Sequence, residues 1–222
     1  MSQHAVKERK RAPSQRSVAA RERILDAAEQ VFSERGFEGA SIRDIAERAQ
    51  VQKANVNFHG GPKEELFERI VARRASVLSE ERLIAIKALE GQDWQVRDFV
   101  AAYMQPLITR AFGGDPQWLA YARIVAMVSA DTRWRALAKV HFDPAASFAV
   151  QALCARFPDA DPNRVSASLV YAVSAMLALC TSDWRISALS GSEGGSKAQD
   201  MIENLLSFCE AGITGSLSAE TA

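Results

Sequence analysis

The chain has 222 residues, 48% of them hydrophobic and 24% charged, which is enough to bury a core and too apolar for a disordered chain. Only 12 glycines and 7 prolines stand against abundant Ala, Leu, Arg and Glu, a composition that favours helices over a turn-rich β fold. The net charge is zero but unevenly spread: residues 1–74 hold 15 Lys and Arg against 11 Asp and Glu, and the rest hold 12 against 16. Such asymmetry fits a basic nucleic-acid-binding head on an acidic body, or simply a solvated basic tail.

Residues 1–16 are polar and basic, contain Pro13 and show no periodicity, as expected of a flexible basic arm. Its Lys7 to Arg11 run would track phosphates, enter a minor groove or remain solvated. Ile24, Leu25, Ala28, Val31 and Phe32 then recur at helical spacing until Gly36 stops the helix. Ser41 and Asp44 have the form of a capping box for a short helix with Ile42, Ile45, Ala46 and Ala49 on one face. Gln50-Val51-Gln52 interrupts it, and a second short helix runs from Lys53 to about His59. Gly60-Gly61-Pro62 is a break, with Pro62 suited to the first position of the next helix and Gly61 to its cap. That helix, carried by Leu66, Phe67, Ile70 and Val71, extends towards Leu89.

Further helices are predicted around residues 94–112, from Asp115-Pro116 onward, and over 131–157 with a kink or break at Pro144. A strongly apolar helix spans about 165–189, a soft linker covers 190–196, and a last helix carries Ile202, Leu205, Leu206, Cys209 and Ile213. The expected fold class is all-α: a three-helix head over residues 17–62 and a helical bundle over 63–222.

Two short helices joined by a tight turn after a longer one form a helix-turn-helix, although an ordinary helical hairpin reads the same way. With Val51 and Val56 turned inward, Lys53, Ala54, Asn55, Asn57 and Phe58 face outward, where lysine and asparagine would reach base edges or phosphates. Arg43 and Lys63, each at a helix start, would meet phosphates.

Residues 21–28 (RERILDAA) and 32–46 (FSERGFEGASIRDIA), continuing through Val51-Gln52-Lys53, Phe58-His59 and 63–67 (KEELF), closely resemble the N-terminal region of the TetR family of regulators. The resemblance covers about fifty residues without a gap. It implies an all-helical homodimer of about nine helices that binds palindromic operator DNA, with a ligand cavity in the C-terminal domain and the last two helices at the dimer seam. It also places His59 beside a phosphate, where a lone histidine near a helix end otherwise reads as a capping or surface group, and implies repression relieved when a ligand shifts the two reading heads apart. The sequence departs from the family where glycine is usual and Gln50 stands, where a small residue is usual and Ala54 stands, and where an aromatic often occurs and Asn57 stands. Phe58 keeps an aromatic without a tyrosine hydroxyl. Most notably, Gly60 replaces a core phenylalanine, a loss of about 3–5 kcal/mol unless Phe67 or Phe37 fills the space. A ligand-binding dimer with an incompetent DNA-binding head is therefore the alternative reading.

In the body, Tyr103, Trp118, Tyr121, Met127, Phe142 and Met176, with Phe99, Met104 and Phe148, are candidates to line a cavity or simply to fill the core. Arg123 and His141 fall in otherwise apolar segments and would meet a polar or anionic ligand head, an acid such as Asp143, or solvent. The stretch 118–144 resembles the C-terminal domain of PsrA-like members, which implies a fatty-acid or acyl-CoA-like effector. Tyr171, Ala172, Ala175, Met176, Leu179, Trp184, Leu205, Leu206, Phe208 and Cys209 are the candidate dimer seam, half of them being equally suited to the protomer's own core.

Three widely spaced cysteines point to reduced thiols, and no motif predicts a metal, a cofactor or an enzyme's nucleophile. Residues 1–15 lack the apolar core of a signal peptide, and the apolar run 165–180 is shorter than the roughly 20 residues of a membrane span. A cytoplasmic protein is expected.

Overall fold

The computed structural model describes residues 15–191 and 197–218; most of the basic arm and of the soft linker lie outside them. The order is α1 (Gln15–Gly39), α2 (Ile42–Arg48), α3 (Lys53–Gly60), α4 (Lys63–Lys87), α5 (Val96–Ala111), α6 (Pro116–Ala130), a 3₁₀ turn (Thr132–Trp134), α7 (Arg135–His141), α8 (Asp143–Arg156), α9 (Pro162–Ser190) and α10 (Ala198–Ser218). No strand occurs among the described residues. The all-α expectation stands, with ten α-helices among the described residues where about nine were expected.

Most helix ends follow local chemistry. Ser41 caps α2 by accepting from the Asp44 amide at 3.2 Å, while Asp44 accepts from the Ser41 amide at 3.0 Å, completing the box. Asp115 and Asp161 cap α6 and α9 through side-chain oxygens, each followed by a proline in the first turn. At Gly36 the backbone turns to φ 69°, which interrupts α1 as expected. Pro62 sits at the N-cap of α4 instead of its first helical position, and Gly61, at φ 77°, closes α3 instead of opening α4. The break expected at Pro144 falls at Phe142, because a proline in the first turn is tolerated and simply opens α8.

Two cores form. Ile24, Val31 and Phe32 of α1, Ile45 of α2, Val56 of α3 and Leu66, Phe67, Ile70 and Val71 of α4 make the first, completed by Ile124 and Val128 of α6 and Leu137 of α7. The head's core thus extends past residue 62 into α4. The second core joins the far half of α4 to α5, α6, α8, α9 and α10. By length and composition alone α9 is long and apolar enough to cross a membrane; here it packs against α6, α8 and α10. Cys180 and Cys209 are buried free thiols, pushed up to about 12 and about 11 by loss of solvent.

Where the cores meet, Glu29 of α1 is fully buried and Arg74 of α4 nearly so. Arg74 Nε donates to both Glu29 oxygens at 2.8 Å, and its guanidinium lies 4.6 Å from the centre of the Trp118 ring. Burial pushes the Glu29 carboxyl up to about 7, against the pull of Arg74 and Arg73.

Candidate nucleic-acid interface and ligand cavity

The head presents α3 on its outside. Val56 is fully buried and Val51 half-buried, which seats the helix on α1 and α2. Lys53, Ala54, Asn55, Asn57 and Phe58 are exposed, Phe58 to 82%. Among the described residues Lys53, Asn55 and Asn57 have no side-chain partner, so their polar groups are free for a ligand. Arg43 is exposed in the first turn of α2. Lys63 is half-buried: its Nζ lies 4.5 Å from the Phe37 ring centre and donates to the Glu38 carbonyl at 3.4 Å. His59 is half-buried beside Phe58, and its carbonyl accepts from Arg69 at 2.8 Å. Gln50 takes the turn at φ 54°, the left-handed region that explains why glycine suits this position.

Gly60 is buried, and the space beside it is filled by Leu66. A Cβ at residue 60 would lie 3.0 Å from Leu66 Cδ1. Neither Phe67 nor Phe37 was needed for this: both belong to an aromatic cluster with Phe32 and Trp134. Restoring phenylalanine in Gly60→Phe is therefore expected to destabilise the protein by about 1–3 kcal/mol through overpacking. A raised midpoint in urea would contradict this account.

In the body a cavity of about 270 Å³ opens between α4, α5, α6, α7, α8 and α9. Of the eight candidate ligand residues, Tyr103, Tyr121, His141, Phe142 and Met176 line it, and Trp118, Arg123 and Met127 do not. The helical period explains the division on α6. Tyr121, Val125 and Ser129 recur every fourth residue and face the cavity, whereas Arg123 and Met127 are offset by two. Arg123 is exposed, Met127 packs on the head's core, and Trp118 is held by Arg74 and Arg110. Arg82 of α4, not singled out from the sequence, is on the cavity wall; the signal was a cation at the spacing of Ala75, Leu78 and Ser79.

The candidate seam also divides. Ala172, Met176, Leu179, Leu205, Leu206 and Cys209 are buried in the protomer's own core. Tyr171, Trp184 and Phe208 are 72%, 66% and 69% exposed, and Ala175 is half-buried beside the groove between α9 and α10.

The description "Bacterial regulatory proteins, tetR family" matches residues 24–70, and "Tetracyclin repressor-like, C-terminal domain" matches residues 101–212. The chain belongs to the TetR family of bacterial regulators. It is 28% identical over 113 residues to the HTH-type transcriptional repressor AcnR of Corynebacterium efficiens, covering 49% of this chain and 59% of that protein. Over 51 residues it is 33% identical to the negative transcriptional regulator IcaR of Staphylococcus epidermidis, covering 23% of this chain and 28% of that protein. The match thus spans less than two thirds of these curated relatives, which are transcriptional regulators and not enzymes. A TetR-like regulator from Rhodococcus sp. RHA1 shares the fold at a TM-score of 0.61 and 18% identity, over 92% of this chain and 100% of that one. Salmonella enterica GusR does so at 0.57 and 20%, over 91% and 97%.

Proposed function

We propose that the protein is a cytoplasmic, homodimeric repressor that binds a palindromic operator through α2 and α3 and is released by a small apolar or amphipathic effector of fatty-acid or acyl-CoA-like kind. The observation that carries the reading is α3 itself. Its inner face is anchored by Val56 while Lys53, Asn55 and Asn57 stand exposed with no partner among the described residues. Such a helix suits the major groove, with Arg43, Lys63, His59 and the amides at the helix starts disposed towards phosphates. The exposed Tyr171, Trp184 and Phe208 on α9 and α10 support pairing with a second copy, since large aromatics in water favour burial. Of the two grounds for an incompetent head, the hole at Gly60 is filled by Leu66, while the altered turn remains, with Gln50 at φ 54°.

A gel shift on duplex DNA from around the protein's own gene, over a salt series, tests the reading. Arg43→Ala is expected to weaken binding on every sequence and to lower the salt slope by about one. Asn55→Ala is expected to cost about 1–3 kcal/mol and to relax the preference at one base pair. Binding unaffected by both substitutions would overturn the assignment.

A further inference from the structure

We propose that the cavity takes a small organic monoanion, a carboxylate on an apolar body, with Arg82 binding the charged end. This rests on the reading of the cavity as the effector site and names its ligand class.

Arg82 stands one turn beyond Leu78 and Ser79 on the wall formed by α4. Its Nε donates to the Tyr103 carbonyl at 2.9 Å, and its guanidinium lies 4.3 Å from the Tyr103 ring centre. Those contacts fix the plane of the side chain and use one of its five donors. Among the described residues no carboxylate comes within ion-pair distance of it. Arg74, Arg97 and Arg110 of the same body are each paired with glutamate.

A guanidinium cannot relieve its charge by losing a proton, and the remaining donors of half-buried Arg82, on the wall of a largely apolar cavity, are well met by an anion. A planar fork already held in place suits a carboxylate better than a point charge would. Three of the neighbouring hydroxyls are less available: Tyr121 donates to the Val71 carbonyl at 3.4 Å, Ser79 to that of His141 at 3.5 Å and Ser174 to that of Val170 at 2.9 Å. Asp143, the one acid of the lining, is exposed to solvent. Leu107, Val125, Leu169, Met176 and Leu177 supply apolar wall for the rest of the ligand.

The size is bounded as well. At about 30 Å³ for each water-sized group, 270 Å³ accommodates roughly nine such groups, the bulk of an eight-carbon acid. A free acid of that size fits inside.

Sodium octanoate and octanamide, titrated calorimetrically into the full chain, separate charge from apolar burial. Octanoate is expected to bind wild type at least about tenfold more tightly than octanamide, and Arg82→Gln to erase that advantage while leaving octanamide binding unchanged. Arg82→Lys should recover part of it. Retained octanamide binding shows that the Arg82→Gln cavity is intact. Equal affinity for the two ligands, no binding of octanoate, or octanoate binding unaffected by Arg82→Gln would each overturn the proposal. Because the titration contains no DNA, a failure of operator binding would remove the regulatory reading and leave this result standing.

Discussion

Glu29→Ala is expected to destabilise the fold by about 3–5 kcal/mol, and by more than Arg74→Met does. Glu29 is fully buried and receives Arg74 Nε on both oxygens, so removing either partner strands the other. The two partners respond differently. Arginine keeps its charge in any protein environment, and without Glu29 its nearest acid is Asp26 at 4.0 Å. Glu29 needs only to take up a proton, and its carboxyl is already pushed up to about 7. Chemical denaturation of the two variants at neutral pH measures the asymmetry; a larger loss in Arg74→Met would refute it.

The same carboxyl gives a pH dependence of known sign. The folded chain holds the proton up to about 7, the unfolded chain only to the ordinary value of 4.5. Between those values the native state binds more protons, so this group's contribution to stability falls as pH rises through the window and is level above it. Glu29→Gln removes that component, and the difference between wild type and variant should carry it. A difference that stays constant across the window would contradict the assignment.

Two phenylalanines close in sequence should behave oppositely. Phe67 is fully buried, with its ring centre 5.0 Å from Phe32, 5.2 Å from Phe37 and 4.6 Å from Trp134. Phe67→Ala is expected to lose about 3–5 kcal/mol, because the head loses its central ring and Trp134, from the 3₁₀ turn, loses the ring it packs on. Phe58 is 82% exposed, so Phe58→Ala is expected to stay within about 0.5 kcal/mol of wild type. DNA retention should reverse the order: at a temperature where both variants are folded, Phe58→Ala weakens binding and Phe67→Ala does not. Thermal unfolding and gel shift on the same samples decide it. Matching thermal losses would mean that Phe58 is not a surface group.

What was legible in the sequence was what local chemistry controls. The Ser41 and Asp44 box, the aspartate-proline starts at 115–116 and 161–162, and the glycine break at 60–61 each act within a turn of chain, and each marks an element end. The exposed face of α3 was readable for the same reason, since two inward valines fix the rotation of so short a helix. Placement on the body's helices depends on partners distant in sequence. Trp118 and Tyr121 are both aromatics on α6, yet one meets two arginines and the other a cavity. Glu29 lies on the same stripe as Leu25 and Phe32; only the approach of Arg74, 45 residues later, makes its burial tolerable. Arg82 was overlooked likewise, because a cation on a helix ordinarily faces water.

Ile124, Val128 and Leu137 complete a core whose other walls come from α1 to α4. A fragment cut after residue 62 would lose the walls that α4, α6 and α7 give that interior, and a cut farther along α4 would have to sever the helix itself. Chimeric regulators made by exchanging reading modules at the obvious loop would therefore inherit mismatched halves. A workable transplant would have to take the facing residues of α6 and α7 along with the module, as a mosaic of non-contiguous positions.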